Sequence, residues 1–383
     1  MYVTREHMEK IEADTLAPYA ILSQNSRGRV HHDPEPKYRT AFQRDRDRIV
    51  HSAAFRRLEY KTQVFVNDEG DYYRTRLTHT LEVAQIGRTL ARALAVNEDL
   101  VESICLAHDL GHPPFGHAGE SVLNRLTEEI GGFNHNHQSY RVVTQLERRY
   151  PGWIGLNLTY EALEGIAKHE SEYDLTLVKD FDPTTRGGIE AQIANIADEL
   201  AYNAHDLDDG LQAGLIEPED LNSLEIWHMI SKDKVWKGGK IDEISRHQLI
   251  RDLVGLQVDD VLQTTTQKLD DLNPQSPEDV QRHSENLVSH SENMEKLNRE
   301  LKSFLFQNMY YHYRVARMAK RAQRFIEQIF TSYMEDSRQL PPEYQAQLPN
   351  RDLRRVVADY IAAMTDRGAV LEYRRLFDPL ARP

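Results

Sequence analysis

The 383-residue chain is 40% apolar and 28% charged, enough to bury one large core or a core with a satellite domain. No apolar run approaches the ~18 residues of a membrane span, and the N-terminal MYVTREHMEK has charges of both signs and no apolar segment, so a soluble cytoplasmic protein with no membrane partner is expected. A net charge of −14 argues against general nucleic-acid affinity, and the single cysteine, Cys105, excludes an intramolecular disulfide.

In chain order, the first feature is a local basic stretch. Arg27, Arg29, Lys37, Arg39, Arg44, Arg46, Arg48, Arg56, Arg57 and Lys61 lie among far fewer acids. Such a stretch in an acidic protein suits a compact polyanion, or else a surface helix laced with salt bridges. Residues 63–74 then read as a β-hairpin, with Asn67-Asp68-Glu69-Gly70-Asp71 as its turn.

Beyond the hairpin the apolar spacing is helical, and the expected fold is all-α. Over 79–95, His79, Val83, Ile86 and Leu90 share one face, with Thr78 as the N-cap. A second helix spans 98–110, capped by Asn97 and stopped at Gly111. A third, over 187–206, carries Asp198 on a face with Ala194, Ala201 and Tyr202. The polar stretch 265–300 reads as an exposed connection. A long amphipathic helix covers Leu301–Met334 and ends before Pro341-Pro342. This predicts a core over 1–265, with an N-terminal extension, and a helical part over 266–383 that packs back on it.

Six histidines fall between 79 and 137: His79, His108, His112, His117, His135 and His137. A lone histidine on an apolar face is more often structural, but clustering changes that reading. His108-Asp109 closes a helix built from Leu100, Val101, Ile104 and Leu106. A carboxylate there needs a cation or hydrogen-bond donors. With His79 and Asp198 also on core-facing helix surfaces, two imidazoles and two carboxylates make a mixed N/O site for a divalent metal.

The pattern H…HD…D resembles the HD superfamily of metal-dependent phosphohydrolases. The run His108-Asp109-Leu110-Gly111-His112-Pro113-Pro114-Phe115-Gly116-His117-Ala118-Gly119-Glu120 narrows the likeness to the deoxynucleoside triphosphate triphosphohydrolases. Tyr72–His79, Asn134–Ser139 and Asp198–Asp206 are similar to further segments of that family, and the N-terminal Tyr19…Ser26-Arg27-Gly28-Arg29 and the late Tyr311–Val315 resemble its bacterial dGTPase-like branch. The resemblance covers nearly the whole chain in the right order.

What it implies is specific. His79, His108, Asp109 and Asp198 match the metal ligands, for Mg2+ or Mn2+, with Fe, Ni or Co as further candidates. His117 matches the catalytic histidine and Glu120 the acid beside it. His112 and His135 match histidines near the α-phosphate, and Arg76 matches a phosphate-binding arginine. Gln63 and Asp206 match residues at the deoxyribose 3′-hydroxyl, and Tyr202 matches the residue that crowds a 2′-hydroxyl. The implied reaction takes intact triphosphate from a dNTP. The expected assembly is a homo-oligomer, with a nucleotide or single-stranded DNA as effector. Two rivals stay open: an HD phosphohydrolase acting on another nucleotide, such as a monophosphate or (p)ppGpp, and a nucleotide sensor with little turnover. By their own surroundings His112 also reads as a turn residue beside Pro113-Pro114, and Glu120 as a first-turn acid favoured by the helix dipole.

Overall fold

The computed structural model describes residues 2–63, 74–169, 180–232 and 241–381. Within them the chain is helical, and β-pairing is confined to the isolated bridges Arg29↔Thr159, Thr62↔Thr75 and Tyr150↔Trp153. The all-α expectation holds. The turn and most of the strands expected over 63–74 lie outside the described residues. No described helix is long and apolar enough to cross a membrane. The chain forms two compact units that interleave along the sequence: residues 1–50, 79–107 and 157–312, and residues 51–78, 108–156 and 313–383.

The first unit is built around the helix Glu98–Ala107, which packs against Ala41–Val50 and against Ile189–Gln212. Leu100, Val101, Ile104, Cys105, Leu106 and Ala107 are all buried, while Glu98, Asp99 and Glu102 share one charged face that pairs with Arg46 and Arg88, so the helix serves as a core rod on its other faces. Asn97 Oδ1 accepts from Leu100 N at 3.1 Å, the cap its sequence predicts. The Cys105 thiol is buried, and burial pushes its pKa up, which makes it an inert packing residue. Ile189–Gln212 runs six residues past its expected end because Asn203, Ala204, Leu207 and Gly210 keep it buried.

The basic stretch is largely neutralised here. Arg29 binds Asp45 and Glu35, Arg44 binds Asp33 and Glu35, Arg48 binds Asp33, Arg39 binds Asp47, and Arg46 reaches Asp99 and Glu102. These arginines tie the N-terminal segment down and are not a phosphate platform, so the salt-bridge reading wins for them.

The stretch 265–300 is also not an open connection. The helix Glu243–Leu272 buries Thr265 and Leu269 and ends at Asn273, which takes the left-handed conformation (φ 47°) that ends helices. Val280, Leu287, Val288 and Met294 then continue the buried face. The helix expected over Leu301–Met334 is two. Glu292–Leu305 passes into a π-turn at Phe306–Tyr310, and Tyr313–Glu335 follows.

In the second unit, Val122 and Leu123 of the helix Gly116–Leu126 share a core with Ile326, Ile329, Phe330 and Tyr333 of Tyr313–Glu335. Val356, Val357 and Ile361 of Leu353–Ala362 complete it. Asp359 is a buried charge in this unit. It accepts from both terminal nitrogens of Arg141 and from Gln138, and these partners hold its carboxyl below the ordinary range despite burial.

Candidate active site

The histidine-rich run 108–120 belongs to the second unit and is shaped by glycine contacts. Gly111 has no room for a side chain: an added Cβ would meet Ser139 N at 2.2 Å and His135 O at 2.3 Å. Its role is therefore close approach rather than the left-handed helix stop expected of it. Ser139 Oγ clamps this turn, accepting from Gly111 N at 2.8 Å and donating to His108 O at 2.6 Å. Gly119 is required for the same reason, since its Cβ would lie 2.1 Å from Pro114 O. Between them Phe115 sits at φ 64°, a left-handed conformation that costs a bulky residue about 1–2 kcal/mol. Its N–H donates to Asp366 Oδ1 at 2.8 Å, and its ring enters the core of this unit, so the surroundings hold the strain.

Two residues to which sequence assigns no role at this segment support it. Lys61 is fully buried, and its ammonium donates to the carbonyls of His112 and Ala362. Burial, with the charges of Arg57 and Arg76, pushes its pKa down to about 7. Asp366 accepts from Thr62 N at 2.9 Å as well as from Phe115 N. These partners lie far from them in sequence, so no local pattern marks them.

The side chains of the run form two linked groups. Asp109 is buried, and NH1 of Arg76 donates to both its oxygens at 3.0 Å. Its Oδ1 is 3.5 Å from His108 Nε2 and 3.2 Å from His112 Nε2. Arg76 thus engages a carboxylate in this structure. His112 stacks on His135 with ring centroids 3.8 Å apart. Burial, then Arg76 and His135, holds His112 well below its ordinary pKa, so it is neutral.

Glu120 links two histidines. Its Oε2 is 3.2 Å from Nδ1 of the exposed His117, and its Oε1 is 2.7 Å from Nδ1 of His135. Burial alone would raise the Glu120 carboxyl, but hydrogen bonds from His117 and His135 outweigh it and keep it ionised. Burial would lower His135, yet Glu120 raises it above its ordinary value. Glu120 is therefore no idle first-turn acid. The buried Gln63 Oε1 makes no hydrogen bond among the described residues. His137 is exposed and outside this group, and desolvation by its surroundings lowers its pKa.

The first unit holds the remaining sequence-predicted residues. The helix Arg76–Ala93 starts earlier than expected, with Thr75 Oγ1 accepting from Thr78 N at 3.3 Å. His79 is buried, and its Nε2 lies 2.9 Å from Asp198 Oδ1. Two ligand atoms each about 2.1 Å from one octahedral ion stand at about this spacing, so the pair fits a shared divalent cation. His169 has Nε2 3.6 Å from Asp198 Oδ2. One turn along the same helix, Tyr202 pairs with the Tyr310 hydroxyl, which also binds Asp206. Burial pushes the Asp206 carboxyl up to about 7, and its Oδ1 has no partner among the described residues. Tyr310 therefore joins this group, while Tyr311 and Tyr313 are exposed and form no core.

Comparison with known proteins agrees with this chemistry. The HD domain model matches residues 76–203, and the phosphohydrolase-associated domain model matches 288–375. A deoxyguanosinetriphosphate triphosphohydrolase-like protein of Geobacter sulfurreducens is 52% identical, over 99% of this chain and all of that one. Proteins of the same description from Geobacter metallireducens and Ralstonia nicotianae are each 52% identical, covering 97% and 94% of both chains.

Proposed function

The chain belongs to the deoxyguanosinetriphosphate triphosphohydrolase-like family and carries an HD domain, and we propose that it hydrolyses dGTP, or several dNTPs, to the deoxynucleoside and intact triphosphate. The observation that carries this reading is the end-to-end similarity to relatives of that description. In it, 1–265 is the hydrolase core and 266–383 the helical C-terminal part. The enzyme acts in the cytoplasm as a homo-oligomer under nucleotide or single-stranded DNA control.

HD domains bind divalent metals, and the His79–Asp198 pair has the donor chemistry for one. The proposed ligands are His79, His108, Asp109 and Asp198. Mg2+ or Mn2+ suits the carboxylates; Fe, Ni or Co would suit the imidazoles. When bound, the ion supplies a water of lowered pKa and offsets phosphate charge.

The chain's own residues do the rest. Water attacks the α-phosphorus, and the leaving ribose 5′-oxygen needs a proton, which His117 gives. Glu120 holds the His117 ring through Nδ1, leaving Nε2 to donate. His112 and His135 bind the α-phosphate region, His112 as a neutral donor and His135 as the more basic ring. Arg76 meets phosphate charge. Gln63 Oε1 and Asp206 Oδ1 are buried acceptors with no partner among the described residues, as acceptors for a sugar hydroxyl should be.

Tyr202 is proposed to crowd the 2′ position. The enzyme should therefore turn over dGTP about 10–100-fold faster than GTP, the range a pocket reaches by steric exclusion. Tyr202→Ala should narrow that gap, and Tyr202→Phe, which keeps the ring, should preserve it. Comparing kcat/KM on dGTP and GTP checks this. Equal wild-type values on the two nucleotides would refute the steric role.

A further inference from the structure

In the first unit, two polar residues stand behind His79 that no step of the reaction uses. Nδ1 of His79 is 3.1 Å from Nδ1 of His205, and the rings meet edge to face at 84°. Nε2 of His205 is 2.9 Å from Glu82 Oε2. Both imidazoles are buried, while Glu82 reaches solvent. The spacing is visible in the sequence: Glu82 is three residues after His79, and His205 is seven after Asp198, so each pair shares a helix face.

Hydrogen-bond chemistry orders the protons along this chain. An ionised carboxylate only accepts, so Nε2 of His205 carries a proton. With Nε2 of His79 given to a metal, the ring proton of His79 sits on Nδ1, and Nδ1 of His205, 3.1 Å away, is the acceptor placed to receive it. Nε2 of His79, 2.9 Å from Asp198 Oδ1, is the nitrogen on the side of the proposed ion. We propose that Glu82 and His205 are positioning residues that lock His79 in its Nδ1–H tautomer, with Nε2 presented as a metal-binding lone pair. The carboxylate–imidazole–imidazole relay also raises the donor strength of His79, as carboxylates behind metal-bound histidines do.

The relay rests on the reading of His79 as a ligand, and the experiment separates the two. Mn2+ affinity of the full-length protein is measured by calorimetry and by release into a chelator, alongside thermal melting of metal-free protein. Wild type should bind Mn2+ and His79→Ala should not; if both bind equally, the ligand reading fails. His205→Ala should weaken Mn2+ binding by about 10–100-fold, the usual loss when a partner behind a metal ligand is removed. His205→Gln, which restores an acceptor for His79 Nδ1, should recover part of it. Glu82→Gln should lose several-fold with no change in the metal-free melt, since Glu82 reaches solvent. If His205→Ala fails to fold, Glu82→Gln and His205→Gln carry the test. Wild-type affinity in the folded variants, with His79→Ala still defective, would overturn the relay.

Discussion

Replacing His108 or Asp109 with alanine should strip the bound divalent metal and abolish nearly all turnover. Both side chains are buried at the end of an apolar helix, where a carboxylate needs positive partners. Arg76 is one such partner for Asp109, through both carboxylate oxygens. Asp109→Ala therefore has a second consequence: it leaves the buried Arg76 charge unpaired, at about 3–5 kcal/mol of stability. His108→Ala leaves the Arg76–Asp109 pair in place, so a loss of metal there is not the loss of that ion pair. Elemental analysis of each purified variant, with thermal melting beside it, checks the expectation. Full occupancy in folded Asp109→Ala would remove Asp109 from the ligand set.

His117→Ala should keep its metal and bind substrate within a few-fold of wild type, yet lose about 10²–10⁴ in kcat, the usual worth of a general acid. The side chain is 64% exposed, so its removal leaves the fold intact. Glu120→Gln should lose less turnover, because it removes support for the imidazolium rather than the proton donor itself. It also removes the partner that raises His135, so both rings are affected. If His117→Ala loses the metal, His117 is a ligand. If it turns over normally, His135 becomes the acid, because His112 is kept neutral by burial and by Arg76. Metal content and kcat on dGTP, measured on the same preparation, distinguish these cases.

The helices around the site were legible because their residues are apolar at the right period. Leu100, Val101, Ile104 and Leu106 announce a buried helix, and His108-Asp109 at its end supplies the donor types of the proposed ligand pair. Other features depend on contacts that local pattern does not encode. The Phe306–Tyr310 π-turn interrupts a helix whose apolar spacing runs on through it. Few acids lie near the basic stretch in sequence, yet Asp33, Glu35, Asp45 and Asp47 are enough to engage Arg29, Arg39, Arg44 and Arg48. The Lys61 and Asp366 supports join residues hundreds of positions apart. The Glu82–His205 pair is a different case. Its helical spacing to His79 and Asp198 is present in the sequence, but no local pattern marks which residues stand behind the proposed ligands.

Hydrolysis of dGTP in 18O-enriched water tests water attack at the α-phosphorus with release of intact triphosphate. Mass spectrometry of the products should find one 18O atom in the triphosphate and none in deoxyguanosine, because the bond broken lies between the α-phosphorus and the 5′-oxygen. Label appearing in the nucleoside, or products consisting of monophosphate with pyrophosphate or of diphosphate with phosphate, would rule out that reaction.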